Sequence, residues 1–233
     1  SVIEQLSNKN NDYKLNDLNN YQKNVDIKPT ISSAPLGSFA NKNLISVVIP
    51  NSVTIIDGFA FSGNQLTSVT IPNSVTTIGH NAFIDNELTS VVIPDGVTTI
   101  DSSAFESNQL TSIAIPSSVA IIGTHAFSYN KLTSVVIPDG VTTIGHNAFE
   151  NNQLTNITIP SSVTKIESLA FRNNQLTNVT FLSPSKLEVI QNDSFTGNNI
   201  TSVTIPNSVT DLSCYAFDST VSITKSSNLT CTA

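Results

Sequence analysis

The sequence predicts a β-rich solenoid of about eight repeats, each 22 residues long. Two residue types mark these repeats, because prolines recur at a strict 22-residue interval and phenylalanines recur at a second position of the same unit. A period of this length is typical of a stacked coil in which each turn buries its apolar face against its neighbours. The prolines are Pro50, Pro72, Pro94, Pro116, Pro138 and Pro160, with Pro206 after one irregular unit, and the phenylalanines are Phe39, Phe61, Phe83, Phe105, Phe127, Phe149, Phe171, Phe195 and Phe217.

Each repeat opens with a short predicted strand. Leu66, Val69 and Ile71 have the spacing of inward-facing residues, so Ser68 and Thr70 are predicted to point outward. The proline that follows ends the strand. We expect it at the second position of a tight turn, where its ring presets the backbone.

The second half of the repeat closes the turn. Val75 and Ile78 supply a second, shorter apolar edge, and Ala82 precedes Phe83 in a pair that recurs in most units. Because the small alanine lets the ring reach the axis of the coil, the sequence predicts a continuous spine of stacked phenylalanines.

An asparagine recurs three residues after most of these phenylalanines. Buried backbone groups in a loop must be paired, and an amide side chain carries both a donor and an acceptor. We therefore interpret the series as a hydrogen-bonded ladder between turns rather than as a row of ligand-binding amides. The series comprises Asn64, Asn86, Asn108, Asn130, Asn152, Asn174 and Asn198.

The charge pattern excludes a nucleic-acid partner. The chain has a formal net charge of −7, and residues 43–171 include nine acidic residues but only two basic ones. Nucleic-acid binding needs clustered Lys and Arg to neutralise phosphates. The acidic residues, among them Asp101, Glu106 and Glu150, are expected on exposed loops. No stretch of about 18 apolar residues is present, so we expect no membrane insertion by this segment.

The sequence favours neither catalysis nor cofactor binding. His80 and His146 occupy the same repeat position three turns apart, a separation of roughly 14 Å at ~4.8 Å per turn. That is too far to share a metal ion. His125 and His146 lie on adjacent turns and could approach each other, but no Cys or convergent carboxylate accompanies them. We predict no metal, no cofactor and no enzymatic activity.

The outward positions of the predicted strands form the candidate binding face. They carry neither charge nor aromatic rings, which suggests a broad, weakly polar contact surface for a protein. Two alternatives stay open: the positions could be solvent-facing filler, or the threonine column that includes Thr67, Thr89 and Thr111 could form an ice-binding hydroxyl array. The candidate residues are Ser68, Thr70, Ser90, Val92, Ser112, Ala114, Ser134, Val136, Asn156, Thr158, Asn178 and Thr180.

Positions that break the repeat are candidates for specificity. Residues 181–187 lack the turn proline at its usual place and carry two extra residues. Phe59, Leu169 and Tyr215 are bulky where other units have small or polar residues, and Tyr129 adjoins the asparagine series. Each of these side chains could instead simply pack against a neighbour.

The two ends depart from the repeat. Residues 1–35 are expected to form an N-terminal cap or linker, for which weak spacing of apolar residues indicates a helix; the spacing runs through Ile3, Leu6, Leu15, Leu18 and Tyr21. The repeats are predicted over 36–223 and a C-terminal cap over 224–233. Cys214 and Cys231 are the only cysteines, and a disulfide that fastens the last strand is favoured over a redox site.

The repeat pattern L-T-S-V-x-I-P-x-S-V-T-x-I-G-x-x-A-F resembles the BspA-like, or Treponema-type, leucine-rich repeat over about residues 36–223. The resemblance implies a right-handed superhelix, a fold usually classed with the α/β horseshoes, in bacterial surface proteins that adhere to host matrix proteins or to other cells. Many members have a 23-residue unit, with Cys where this chain has its asparagine series. We therefore expect an extracellular or cell-surface protein that binds a host matrix or cell-surface protein, with a structural spacer or scaffold of a larger surface protein as the alternative.

Overall fold

The computed structural model describes residues 13–18 and 22–232, with side chains from residue 24 onward. The chain forms about ten turns of roughly 22 residues, and each regular turn contributes one strand to each of two sides. In chain order the strands are β1 (Tyr13–Leu18), β2 (Gln22–Ile27), β3 (Ser33–Ala34), β4 (Leu44–Val48), β5 (Ile55–Ile56), β6 (Ser68–Thr70), β7 (Thr77–Ile78), β8 (Ser90–Val92), β9 (Thr99–Ile100), β10 (Ser112–Ala114), β11 (Ile121–Ile122), β12 (Ser134–Val136), β13 (Thr143–Ile144), β14 (Asn156–Ile159), β15 (Lys165–Ile166), β16 (Asn178–Phe181), β17 (Val189–Ile190), β18 (Ser202–Thr204), β19 (Asp211–Ser213), β20 (Ser222–Thr224) and β21 (Cys231–Thr232).

All the described strand pairs except β1–β2 are parallel, as a solenoid requires. The odd-numbered strands from β3 to β21 form one ten-stranded sheet. On the other side, the even-numbered strands pair as β6–β8, β10–β12, β14–β16 and β18–β20. The pairing of Ser68 with Ser90 and of Thr70 with Val92 keeps residues that are one repeat apart in register. Equivalent side chains of successive turns therefore line up in straight columns.

A tight turn links the two sides, and it differs from the sequence prediction. The N–H of Val75 donates to the carbonyl of Pro72 at 3.0 Å, and Val97 donates to Pro94 in the same way. The proline is therefore the first residue of the turn, and its expected place at the second position was wrong. The proline has no N–H to continue the strand ladder, while its carbonyl serves as the turn acceptor.

The core is one continuous column of apolar side chains, and it confirms the predicted spine. Leu66, Val75, Ile78, Ala82 and Phe83 have no exposed surface, and their equivalents in the other regular turns are likewise buried. The nine rings from Phe39 to Phe217 stack nearly parallel, with centroids of neighbours 4.9 to 5.7 Å apart.

The asparagine series forms the predicted ladder. The Asn86 amide nitrogen donates to the carbonyls of Phe61 at 2.9 Å and Phe83 at 3.2 Å. Its side-chain oxygen accepts from the N–H of Leu66 at 3.2 Å. The amide of Asn86 thus pairs backbone groups of two turns. Because Asn86 is only 7% exposed, it offers little surface to a ligand.

The N-terminal segment corrects the helical expectation. β1 and β2 pair antiparallel, and β2 adds in parallel to β4 at the first turn. A strand placed there hydrogen bonds to backbone groups that the first turn would otherwise expose at the sheet edge. The helix is therefore wrong for 13–18 and 22–27, which include Leu15 and Leu18. Ile3, Leu6 and Tyr21 lie outside the described residues.

The last turns are fastened covalently. Cys214 and Cys231 form a disulfide, and the Cys214 N–H donates to the carbonyl of Thr232 at 2.7 Å. The ten-stranded sheet begins at Ser33 and ends at Thr232, so it extends slightly beyond the predicted repeat region at both ends. Over residues 13–18 and 22–232 there is no helix, and hence none of the length and apolarity that a membrane span needs.

Candidate binding face and the repeat break

The strand face consists of the twelve outward residues of β6, β8, β10, β12, β14 and β16. All twelve are exposed to solvent, as their alternation with buried residues predicted. One column of the strand face contains strongly exposed valines, with Val92 80% exposed and Val136 72% exposed. Thr70, Ala114 and Thr158 occupy the turns before, between and after them. The strand face is Ser68, Thr70, Ser90, Val92, Ser112, Ala114, Ser134, Val136, Asn156, Thr158, Asn178 and Thr180.

The threonine column beside the strand face is exposed, but some of its hydroxyls already have backbone partners. The hydroxyl of Thr89 lies 3.5 Å from the carbonyl of Thr67, and that of Thr177 lies 3.3 Å from the carbonyl of Thr155. These hydroxyls are held along the coil axis, so each has less capacity for an outside ligand.

The histidines contact neighbours on adjacent turns. The rings of His125 and His146 meet edge to face with centroids 6.3 Å apart, which confirms that the two approach. His125 Nδ1 also lies 3.3 Å from the Ser128 hydroxyl and 3.9 Å from Glu106. No group of three or more His, Cys, Asp or Glu side chains in the described ranges is arranged to hold a metal ion.

One acidic residue is not where the sequence placed it. Glu150 was expected on an exposed loop, but it is only 7% exposed. Its carboxylate accepts a short hydrogen bond from the Asn147 amide and lies 4.0 Å from the Arg172 guanidinium. A buried carboxylate requires such partners, so Glu150 acts within the fold rather than at its surface.

Two columns of left-handed backbone were missed by the sequence analysis. Phe59, His125 and Leu169 occupy one column with φ of 56°, 56° and 65°, and Tyr129 occupies the other with φ of 54°. Most turns place Asn, Asp, Ser or Gly at these positions, and Asn and Gly adopt this conformation most easily. That preference was the available signal. Phe59 is 41% exposed and Tyr129 is 50% exposed, so much of each ring is accessible to a partner.

Phe59 and Tyr215, two of the bulky side chains that break the repeat, differ in how far they pack against a neighbour. The Phe59 ring meets the His80 ring edge to face with centroids 5.1 Å apart, so it packs along the coil despite its exposure. Tyr215 is 57% exposed, and its N–H bonds to the Ser213 hydroxyl at 3.0 Å.

The repeat break changes the surface next to the end of the strand face. Phe181 pairs with Ile159, so it occupies a position where the preceding turn buries an isoleucine. Ile159 is 1% exposed, whereas Phe181 is only partly buried. From the end of β16 the chain needs two more residues than usual to reach β17, and Leu182 beside Phe181 is 42% exposed.

The stacked parallel turns, the phenylalanine spine and the uncharged strand face together define a leucine-rich repeat solenoid. The model of the BspA type leucine-rich repeat region matches residues 32–154 and 98–224 in six copies. The chain therefore belongs to the BspA-type leucine-rich repeat family, which confirms the resemblance. Among curated proteins, no sequence matches significantly.

Solved structures of bacterial proteins share the fold. A leucine-rich repeat protein from Bacteroides ovatus is 21% identical, with 93% of this chain and 66% of that chain covered and a TM-score of 0.69. This chain thus spans just under two thirds of that protein. A leucine-rich repeat protein from Eubacterium ventriosum is 23% identical, with coverages of 87% and 74% and a TM-score of 0.50. At these identities the likeness is one of fold.

Proposed function

We propose that this chain is a non-catalytic, extracellular protein-binding or adhesion module whose contact surface is the strand face. The observation that carries the proposal is the exposure of apolar valines in a straight, uncharged column, with Val92 80% exposed and Val136 72% exposed. Large exposed apolar groups in an ordered array favour contact with a partner. Positions that only faced solvent would not require valine.

The size of this surface suits a protein partner. The strand face occupies six of the nine even-numbered strands that follow one another on one side of the coil from β4 to β20. At ~4.8 Å per strand the six span about 24 Å and the nine about 38 Å. Such a length matches an extended protein surface better than a small molecule. The family membership and the Cys214–Cys231 disulfide support an oxidising, extracellular setting.

The test introduces charge and bulk along the column. The triple variant Thr70→Arg, Ala114→Arg and Thr158→Arg leaves the buried residues untouched, because all three side chains are exposed. We expect it to lose adhesion to immobilised matrix proteins and to cells while keeping the melting temperature of the parent. Because the face is uncharged, binding by the parent should depend only mildly on salt.

The matched control changes charge elsewhere on the exposed surface. Glu87→Gln, Asp95→Asn and Asp139→Asn neutralise three exposed acids outside the strand face. This variant should bind like the parent. Loss of adhesion in the control with full adhesion by the Arg variant would contradict the assignment. If the parent binds no matrix protein or cell, the spacer or scaffold role takes its place.

A further inference from the structure

The repeat break opens a groove on the solenoid surface with a volume of about 630 Å³. Its lining comes from β16, β18 and the irregular segment that follows β16, together with the turn at residues 206–208 and Thr224. Small-molecule sites commonly have volumes of about 300 to 1,000 Å³. The groove is therefore large enough to hold a small ligand rather than a single solvent molecule.

A hydroxyl in this groove has lost the partner that its equivalents keep. In regular turns the serine before the buried valine donates to a carbonyl of the preceding turn, as Ser74 does to Val53 at 2.6 Å and Ser162 to Val141 at 2.7 Å. Ser208 occupies the same repeat position directly after the break. Its hydroxyl oxygen is buried and has no hydrogen-bond partner among the described residues.

Other polar groups of the groove are ordered and uncharged. The Asn178 amide donates to the Thr180 hydroxyl at 3.1 Å, which fixes both side chains on β16. Ser202, Thr204 and Asn207 add further hydroxyl and amide groups from the facing side. The lining contains no Asp, Glu, Lys, Arg or His. An anionic or cationic ligand would thus find no countercharge here.

The apolar part of the lining includes an aromatic ring. Phe181 contributes an aromatic side chain that the core does not fully enclose, and Leu182 stands beside it. A neutral sugar presents hydroxyls that both donate and accept, together with a face of C–H groups that packs on an aromatic ring. These are the two kinds of group that the groove offers.

A peptide fits the same groove less well. An extended peptide binds to sheets mainly through free backbone groups at a strand edge. Here β16 pairs with β14 and β18 with β20, which leaves only the edges that β16 and β18 turn toward each other. Cα atoms of these two strands come within 8 Å of each other. A strand inserted between them would need a separation of ~9.6 Å, twice the spacing of paired strands. We propose that the groove at the repeat break is a binding site for a neutral saccharide, with Phe181 as its stacking platform. The Ser208 hydroxyl turns from its buried orientation into the groove by a rotation about the Cα–Cβ bond and hydrogen bonds to a sugar hydroxyl.

The proposal stands independently of protein binding by the strand face, because it concerns a different ligand class and because Phe181 and Ser208 lie outside that face, although Asn178 and Thr180 belong to both surfaces. The experiment screens the intact chain on an array of neutral oligosaccharides, sialylated and sulfated glycans, and uncharged peptides. Hits are then titrated by calorimetry. We expect neutral oligosaccharides alone to bind, with millimolar or tighter affinity.

Two variants test the assignment of the groove. Phe181→Ile restores the residue of the regular turns and should abolish binding. Ser208→Ala should weaken binding about three- to tenfold, the effect of one hydrogen bond. The matched control is Ser74→Ala, which removes a hydroxyl from the same repeat position far from the groove. It should bind like the parent but melt at a lower temperature, whereas Ser208→Ala should melt no lower than the parent.

Three results would overturn the proposal: no binding of any neutral saccharide at millimolar concentrations, preferential binding of peptides or charged glycans, or saccharide binding that survives both groove variants. The Arg variant of the strand face separates this result from the proposed function. It should lose adhesion to proteins and retain the saccharide.

Discussion

The asparagine ladder leads to a strong prediction about stability, and Asn152 in the middle of the coil tests it best. Its amide nitrogen donates to the carbonyls of Phe127 at 2.9 Å and Phe149 at 3.2 Å. Its side-chain oxygen accepts from the N–H of Leu132 at 2.9 Å. Replacement with Ala removes these three bonds and a longer one of 3.4 Å to the carbonyl of Glu150, at a site that is 7% exposed.

The lost bonds are not equally costly. The Phe127 carbonyl keeps a bond from Asn130, and the Phe149 carbonyl keeps one from Asn174. The buried N–H of Leu132 loses the only side-chain acceptor that the structure gives it. An unpaired buried N–H costs about 1 to 3 kcal/mol, and each lost bond to a carbonyl that remains paired costs about 0.5 to 1.5 kcal/mol. We therefore expect Asn152→Ala to lower the free energy of unfolding by about 4 kcal/mol.

The assay is urea unfolding followed by circular dichroism. With a slope of ~3 kcal/mol per molar urea, a loss of that size lowers the midpoint by about 1 M. The matched control is Gln153→Ala, because Gln153 carries the same amide group at the next residue but is exposed. Its midpoint should not move. Equal midpoints for the two variants would refute a structural role for the ladder.

Two further pairs of variants probe the core and the left-handed backbone. Phe127→Ala should cost about 3 to 5 kcal/mol by leaving a cavity between stacked rings, whereas Tyr129→Ala, at a half-exposed position of the same turn, should cost far less in the same denaturation assay. Leu169→Asn should raise stability by about 1 kcal/mol, because Asn tolerates positive φ, and Asn81→Leu in the same column should lower it by a similar amount; melting temperatures that move the other way would contradict this account.

The spine and the ladder could be predicted from the sequence because the same residue type recurs in every turn. A repeated Phe or Asn has one structural role in all copies, so its period indicates both the turn length and the column. The strand face followed from the same logic. Its outward residues alternate with core residues such as Val69 and Ile71, which are 8% and 5% exposed.

The left-handed columns were hidden by their exceptions. Asn81 and Asn147 fit the conformation, but Phe59 and Leu169 have bulky side chains that normally avoid it. The backbone adopts it regardless, because the N–H of Phe59 reaches the carbonyl of His80 on the next turn at 2.9 Å. Backbone hydrogen bonds between successive turns thus outweigh the local preference of the side chain. The sequence around a single residue does not indicate these bonds.

The N-terminal hairpin depends on a contact that the spacing of apolar residues cannot show. β2 is polar at many positions, and its place is set by pairing with β4 about 20 residues later.

The unpaired hydroxyl of Ser208 could not be predicted from the sequence for a related reason. The sequence P-N-S-V is the same at Ser52, Ser74 and Ser208, and only the path of the preceding turn decides whether the hydroxyl finds a carbonyl.

The break also shows how a solenoid can alter its surface without disturbing its core. Although the chain is two residues longer there, the rings of Phe171 and Phe195 still stack with centroids 5.3 Å apart. The Asn198 amide still reaches back to the carbonyl of Phe171 at 3.0 Å. Because each turn contacts only its neighbours, the extra residues are absorbed on the outside of one turn. Changes in length confined to this segment should therefore reshape the groove while spine and ladder continue unbroken, which makes the break a suitable place for ligand specificity to vary.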